Sequence, residues 1–134
     1  MLDKERLESE VRHAFESLVA ASEALDVPRY LGHFDAEKFV GLNADGTVWE
    51  SFEALRALIE PAFLSIEKID SLQFDKVKIS VIDADTVLLV NEYQQQATLK
   101  SGDVFTSAGG GTQVWSKESG SWKLVSVSSS ARTI

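Results

Sequence analysis

The sequence predicts a single α+β domain in which helices come first and a long antiparallel sheet comes last. Apolar residues in the first part recur every three or four positions, which is the spacing of helices with one buried face. From about Ser65 onward apolar and polar residues alternate, which is typical of strands. Helices followed by such a meander indicate helices packed against one face of an antiparallel sheet.

The first helix is predicted from Asp3 to Leu25, because its apolar residues form one helical stripe. These residues are Leu7, Val11, Phe15, Leu18, Val19 and Leu25. A second, short helix should follow and run to Phe34. Asp26 can cap its N-terminus, and Pro28 fits its first turn.

The segment KFVGLNADGTVWE predicts two short strands joined by a turn at Asp45-Gly46. Ser51 can cap a third helix with the sequence FEALRALIE, and Pro61 should end or kink that helix. The four long strands that follow are predicted as DSLQFDKVKISVI, TVLLVNEYQQQATL, VFTSAGGGTQVWSK and WKLVSVSSS.

The overall composition excludes several classes of function. The 134 residues include 21 acidic and 13 basic side chains, and the net charge of −8 repels nucleic acid and anionic membranes. The chain has no cysteine, which excludes disulfides and thiol catalysis. The start MLDKERLESE lacks the apolar region of a signal peptide, and no stretch approaches the roughly 20 apolar residues of a membrane span. We therefore expect one cytoplasmic domain over residues 1–134.

Two-residue turns at Ala84-Asp85, Ser101-Gly102 and Ser119-Gly120 would set the registers of the four long strands, and registers decide which side chains share a face. The face predicted to be the inner one is apolar at one end and polar at the other. Its rows are Val81, Leu88, Trp115 and Leu124; Ile79, Val90, Gln113 and Ser126; Val77, Glu92, Gly111 and Ser128; and Asp75, Gln94 and Gly109. The residues Lys76, Lys78 and Ser80 then fall on the outer face.

Glu92 is the most unusual residue of this predicted inner face. It follows an apolar run, and its predicted neighbours Val77 and Gly111 offer no side-chain hydrogen bond. Because desolvation disfavours a charged carboxylate, such a group could act as general acid or base near neutral pH. The alternative is that Glu92 lies at the open end of the sheet, in water or paired with an arginine from the helices.

Three segments resemble the SnoaL-like branch of the nuclear-transport-factor-2-like superfamily. They are the long first helix, YLGHFDAEKFVGLNADGTVWESFEALRALI, and the closing VWSKESGSWKLVSVSSS. Relatives show a similar passage with an acidic residue after an aromatic one, a DG turn, a helix resembling EAL and a similar closing pair of strands. The resemblance spans nearly the whole chain.

The resemblance implies a cone, in which N-terminal helices pack in the concave face of a strongly bent mixed or antiparallel sheet. It also implies a homodimer formed through the outer face of the sheet. The superfamily includes isomerases, cyclases, dehydratases and assembly domains, so the fold leaves the function open. Relatives that transfer protons place carboxylates, histidines and tyrosines inside the cone. Many carry histidine in the last strand, where this chain has Ser126 and Ser128.

His33, Tyr30 and Asp35 are the other candidates for chemistry. Tyr30 and His33 can share one helix face, and Asp35 could orient the imidazole. The alternative for His33 is a structural residue at a helix end that is hydrogen-bonded to backbone. His13 lies opposite the apolar stripe. With one histidine near the cone and no cluster of ligand residues, neither a metal nor a cofactor is expected.

Aromatic residues and a glycine run could shape a cavity. The residues Tyr30, Phe34, Trp49 and Trp115 could form its apolar wall, although aromatic residues at such positions are also typical of a core. The run Gly109-Gly110-Gly111 interrupts a strand, which favours a bulge that bends the sheet. It would also leave space inside the cone.

The first functional hypothesis is a pocket for a small, largely apolar molecule with a polar handle. In its enzymatic version, an isomerisation, cyclisation or dehydration, Glu92 or Asp35 is the base and Tyr30 or His33 the donor. The remaining pocket residues are predicted to be Trp49, Phe34, Val77, Val90, Gln94, Gln113, Gly111, Ser126 and Ser128.

The second hypothesis is a dimerisation or partner-binding module whose cone is filled by side chains. A homodimer is expected because the predicted outer face is too apolar to remain in water. That face comprises Leu89, Asn91, Tyr93, Ala97, Thr112, Val114, Val125 and Val127.

Overall fold

The structure, a computed structural model, describes residues 2–132 and is α+β, as the sequence predicts. Its helices are α1 (Lys4–Glu23), α2 (Val27–Leu31) and α3 (Phe52–Leu64), and its strands are β1 (Val40–Leu42), β2 (Val48–Trp49), β3 (Ile66–Asp83), β4 (Thr86–Leu99), β5 (Val104–Ser116) and β6 (Lys123–Arg132). The strands form one curved sheet in the order β2-β1-β6-β5-β4-β3, in which only the β1–β6 pair is parallel. Within residues 2–132, no helix is both long and apolar enough to cross a membrane.

The three predicted helix starts are confirmed, but two predicted helix ends are wrong. The side chains of Asp3, Asp26 and Ser51 each accept a hydrogen bond from a backbone N–H three residues further along. Helix α2 ends at Leu31, before its predicted end at Phe34. Phe34 instead forms an isolated parallel bridge to Leu124 of β6.

Helix α3 continues through Pro61 to Leu64, so the predicted end at the proline is wrong, while the alternative, a kink there, stays a prediction. A proline inside a helix removes the hydrogen bond to the residue four positions earlier. Because Pro61 lies in the last turn, this loss affects only the end of the helix.

The core lies between α1 and the inner face of the sheet. One face of α1 is buried against the strands, as its apolar stripe predicts, and Trp115, Val87 and Leu89 of the sheet are completely buried beneath it. The members of this core are Leu7, Val11, Phe15, Leu18, Phe34, Phe39, Leu55, Ile79, Val87, Leu89, Trp115 and Leu124.

Glu10 anchors α1 to the turn between β5 and β6. Its Oε1 accepts a hydrogen bond from the Trp122 indole at 2.8 Å and from the Lys117 ammonium at 3.2 Å. These two bonds, the Trp122 bond first, lower the pKa of the Glu10 carboxyl. The contact fixes the position of the helix over the sheet.

The predicted register of β3 and β4 is correct at the turn and wrong beyond it. Asp83 pairs with Thr86, which confirms the predicted two-residue loop Ala84-Asp85. The next pair is Val81 with Val87, because a bulge at Ile82 shifts the register by one residue. All of β4 is therefore turned to the opposite face relative to the prediction.

The other two registers also differ by one residue. Leu99 donates its backbone N–H to Asp103 O at 2.8 Å, so the β4–β5 loop has three residues rather than two. Between β5 and β6 the predicted pair Trp115 and Leu124 is confirmed, but Val125 then forms a bulge.

The corrected registers redefine both faces of the sheet. One inner row is Val77, Asn91, Gly111 and Ser129, and the next is Ile79, Leu89, Gln113 and Val127. The prediction that Lys76, Lys78 and Ser80 lie outside is confirmed. The predicted outer set is wrong for five members, Leu89, Asn91, Tyr93, Ala97 and Val127, which lie on the inner face.

The glycine run of β5 contains no bulge, which corrects the predicted reason for it. A methyl group at Gly109 would collide with the backbone carbonyl of Ser130, and one at Gly110 with that of Asn91. Close approach of neighbouring strands therefore explains these two glycines. Gly111, on the inner face, leaves space next to Gln113.

Candidate ligand cavity

A cavity of about 220 Å³ lies between α1, α2 and the inner face of strands β3 to β6. Each of these elements contributes to its wall. The lining residues are Phe15, Leu18, Val19, Ser22, Tyr30, Leu72, Phe74, Asn91, Tyr93, Gln95, Gly110, Gly111, Gln113, Val127 and Ser129. The cone of the described residues is therefore not completely filled by its own side chains.

The walls of the cavity are mainly aromatic and aliphatic. Phe15 of α1 meets Phe74 of β3 edge to face, with ring centroids 5.0 Å apart. Phe74 in turn contacts Tyr93 of β4 at 6.2 Å. These contacts join the helix to two strands, so the shape of the cavity is part of the packing of the core.

Tyr30 contributes a hydroxyl group that remains protonated. Its ring packs against Phe34 and Phe63 at 5.3 and 5.0 Å. Burial, and secondarily the neighbouring Tyr93, raises the pKa of Tyr30 to about 12. At neutral pH the phenol is therefore a hydrogen-bond donor and is too weak an acid to lose its proton.

Gln113 is the most deeply buried polar residue of the lining, with 8% of its surface exposed. Its Oε1 accepts a hydrogen bond of 2.9 Å from the indole N–H of Trp115, which is completely buried. Gln113 and Gly111 are predicted pocket residues that lie on the inner face and line the cavity.

Glu92 lies on the outer face and does not line the cavity, so its predicted place inside the cone is wrong. Its side chain is 42% exposed and forms ion pairs with Arg132 at 3.3 Å and Lys76 at 3.6 Å. The apolar surroundings expected for it are absent, because the bulge at Ile82 turns it outward. The arginine partner comes from β6, not from the helices.

Four further pocket predictions fail because the registers are shifted, by the bulge at Ile82 for β4 and by the bulge at Val125 for β6. Val90 and Gln94 of β4, and Ser126 and Ser128 of β6, lie on the outer face. Gln94 there donates to Asp75 at 3.1 Å. Val77 is on the inner face and packs on the core, but it does not reach the cavity.

His33 and Asp35 also do not line the cavity, and they do not form a hydrogen bond with each other. The His33 ring nitrogens contact the backbone oxygen of Arg29 at 2.8 Å and the hydroxyl of Ser17 at 3.0 Å. Asp35 instead accepts hydrogen bonds from the backbone N–H groups of Glu37 and Lys38, at 2.9 and 3.0 Å. His33 thus has the structural position that was the alternative to chemistry.

The remaining aromatic candidates divide between core and cavity. Phe34 is buried and packs edge to face on Phe39 at 5.3 Å, while Trp49 lies 6.4 Å from Phe39. Neither lines the cavity. Phe34 borders a separate groove between α2 and α3. Tyr30 is the aromatic candidate that reaches the cavity itself.

Sequence reasoning missed the polar lining residues of β4, which are Asn91, Tyr93 and Gln95. The sequence signal for them is weak, because both faces of β4 carry amides, with Gln94 and Gln96 on one and Asn91 and Gln95 on the other. The charge of Glu92 is the one feature that favours the outer face for its own set. Ser22 and Ser129, which also line the cavity, carry no comparable signal.

Solved structures with the same architecture define the class of this fold. A nuclear transport factor 2 (NTF2-like) superfamily protein from Salmonella enterica has a TM-score of 0.84 at 14% identity, over 98% of this chain and 95% of that chain. A ketosteroid isomerase-like protein from Erwinia carotovora has a TM-score of 0.76 at 16% identity, over 94% and 96%. The association domain of CaMKII from C. elegans has a TM-score of 0.74 at 18% identity, over 94% and 96%.

At these identities the likeness concerns the fold alone, and it confirms an α+β cone of the nuclear-transport-factor-2-like type. Residues 11–133 match the model of the SnoaL-like domain. The chain belongs to the SnoaL-like domain family, as its sequence resemblance predicts. No curated protein matches this sequence.

Proposed function

We propose that this chain binds a small molecule in the cavity between α1, α2 and strands β3 to β6. The observation that carries the proposal is a cavity of about 220 Å³ whose lining combines aromatic and aliphatic side chains with hydroxyl and amide groups, a composition that suits a ligand site. An apolar cavity of about 150 Å³ can accept benzene. The space here therefore suits one substituted ring rather than a large polycyclic molecule.

The proposed activity is binding, without an assigned proton-transfer step. None of the described residues that line the cavity is a carboxylate or a histidine. Glu92, Asp35 and His33, the predicted acid–base residues, all lie elsewhere. The similarity to a ketosteroid isomerase-like protein is compatible with a small-molecule ligand but assigns no chemistry to this chain.

Ser22→Phe is expected to abolish binding of single-ring compounds to the cavity. Ser22 of α1 lines the cavity and is partly exposed, so a phenyl ring there can occupy the space without displacing a core residue. Binding is measured by chemical-shift changes in the lining residues when a set of neutral single-ring fragments is added. Fragments that bind the wild type should bind the variant at least about tenfold more weakly.

Ala24→Phe is the matched control, because Ala24 lies two residues further along, is exposed and does not line the cavity. It should bind fragments as the wild type does. Native mass spectrometry of freshly purified wild type would in addition reveal a retained molecule. If no fragment shifts the lining residues, or if Ser22→Phe binds like the wild type, the proposed site is wrong.

We also propose that two copies of the chain associate through the outer face of the sheet. The corrected registers place a small, flat patch there, which crosses four strands. Its members are Leu88 and Val90 of β4, Thr112 and Val114 of β5, Ser126 and Ser128 of β6, and Val40 and Leu42 of β1. Val40 and Val90 are 51% and 42% exposed.

The composition around this patch favours a second copy as its partner. Charges of both signs border it, with Lys76 and Arg132 beside Glu92. In a two-fold contact each side chain meets the same surface, so a patch bordered by both signs can match itself. The similarity to the association domain of CaMKII supports self-association.

Val90→Glu is expected to separate the proposed dimer into monomers. The change places a carboxylate, next to Lys78 of β3, in each half of the contact, where it must lose its hydration; this should raise the dimer dissociation constant by about tenfold or more. Sedimentation equilibrium measures it. Val104→Glu is the control, since Val104 is 58% exposed on the same face but lies eight residues beyond Thr112, roughly 26 Å along β5. A monomeric wild type, or equal effects of both changes, would contradict this interface.

A further inference from the structure

The orientation of the Gln113 amide follows from its partner. An indole N–H can only donate, so the atom that Trp115 contacts at 2.9 Å must be the amide oxygen of Gln113. This bond determines which end of the amide is engaged. The NH₂ group is the end that remains, and since no fully buried polar side-chain atom of the described residues lacks a partner, this group is open to the cavity rather than sealed in the core. A polar side chain that is 92% buried thus offers two donors to the cavity that it lines.

A second donor of the cavity is the phenol of Tyr30. It keeps its proton at neutral pH. Ser22, Asn91, Tyr93, Gln95 and Ser129 add further polar groups to the lining, but Gln113 is the most deeply buried of the set. A purely apolar ligand would displace water from these groups without offering them a partner, which is costly.

Charge excludes ions as ligands of this cavity. The described lining residues include no aspartate, glutamate, lysine, arginine or histidine. An ion of either sign would lose its hydration without gaining a countercharge. Glu92, Arg132 and Lys76 do not compensate, because they are on the other side of the sheet.

We propose that Gln113, held by Trp115, is the residue that selects the ligand, and that the ligand is a neutral single-ring molecule with an acceptor oxygen, such as an aryl ketone. This proposal deepens the proposed cavity function and rests on it. The amide NH₂ and the Tyr30 hydroxyl donate to the oxygen of the ligand, and the phenylalanine and aliphatic walls contact its ring. Recognition of the oxygen thus depends on an indole that the ligand itself never touches.

Four probes of similar size test this proposal: acetophenone, ethylbenzene, benzoate and benzylamine. The wild type is expected to bind acetophenone about tenfold more tightly than ethylbenzene, since only the ketone satisfies the donors. Benzoate and benzylamine should bind more weakly than acetophenone. Affinities come from chemical-shift titrations of the lining residues, with Ser22→Phe as the blocked control.

Gln113→Glu tests the role of the amide directly. A carboxylate has nearly the same shape and can still accept the Trp115 hydrogen bond, but it presents an acceptor where the NH₂ group was. Acetophenone should then bind about tenfold more weakly, and benzylamine should become the preferred probe. Gln113→Met is the second variant, in which the preference for acetophenone over ethylbenzene should fall several-fold, because the Tyr30 hydroxyl still donates and the amide no longer does. The spectrum of each variant establishes that it is folded.

The outcomes separate this proposal from the cavity function itself. If no probe binds the wild type, the cavity function fails. If ethylbenzene binds as tightly as acetophenone and Ser22→Phe blocks both, the cavity function holds and selection by Gln113 is wrong. Unchanged preference in both Gln113 variants would equally overturn it. The proposal is supported if the preference for the ketone is present in the wild type and reduced in the variants.

Discussion

Replacement of Trp115 by alanine is expected to lower the free energy of unfolding by about 3–5 kcal/mol. Trp115 is completely buried near the end of β5, between Val87 of β4 and Leu124 of β6, which are themselves completely buried. Removal of its ring leaves a void that these neighbours cannot fill without moving strands. It also leaves the Gln113 amide oxygen without its donor.

Trp49→Ala is the matched control for this prediction. Trp49 is only partly buried and packs at the margin of the core, on Phe39. The same change there should cost clearly less. Urea unfolding at one fixed protein concentration compares the two, because self-association would otherwise shift the midpoints. Equal losses for the two tryptophans would mean that Trp115 is not the centre of the core.

The helix starts and the order of the four long strands could be predicted because local signals determine them, whereas the parallel pairing of β1 with β6 was not predicted. A capping residue such as Asp3 or Ser51 acts on its own helix, and the turn at Asp83 to Thr86 brings β3 and β4 together whatever follows. The resemblance of the chain to the SnoaL-like branch rests on these same elements. Fold class and family therefore followed from the sequence.

The cavity could not be predicted from turns alone, since a single extra residue reverses every side chain of a strand. Ile82 and Val125 are such residues, and neither differs in type from its neighbours. The bulges bend the sheet over α1, and this tertiary requirement decides their position. The result was that Glu92 was assigned to the cavity that Asn91 lines.

The one charged residue of β4 was a better guide than the assumed turns. Glu92 is on the outer face, where a charged side chain of a half-buried strand usually lies, whereas amides occur on both faces, with Gln94 and Gln96 outside and Asn91 and Gln95 inside. The sequence of strand β6 did not distinguish its two faces, because serines occur on both of them. A face assignment from sequence therefore deserves most weight in strands whose two faces differ in composition.

Gly109→Ala is expected to lower the free energy of unfolding by about 2–3 kcal/mol, the cost of forcing extra volume into a packed site. The added methyl group would collide with the backbone carbonyl of Ser130, and it would lie 3.2 Å from the Cα of Ala131. Both contacts are with backbone, so relief requires β5 and β6 to move apart. Urea unfolding measures the change.

Gly111→Ala is the control that separates close approach from the mere presence of glycine in a strand. Its methyl group would be 3.0 Å from the Ser128 oxygen, a contact that a small shift can relieve. Both substitutions reduce the flexibility of the unfolded chain equally, so their difference reports the native state. If both alanines cost the same, strand contact does not explain Gly109. A larger cost at Gly109 would mean that the close approach of β5 and β6 requires a glycine at this position and not at Gly111.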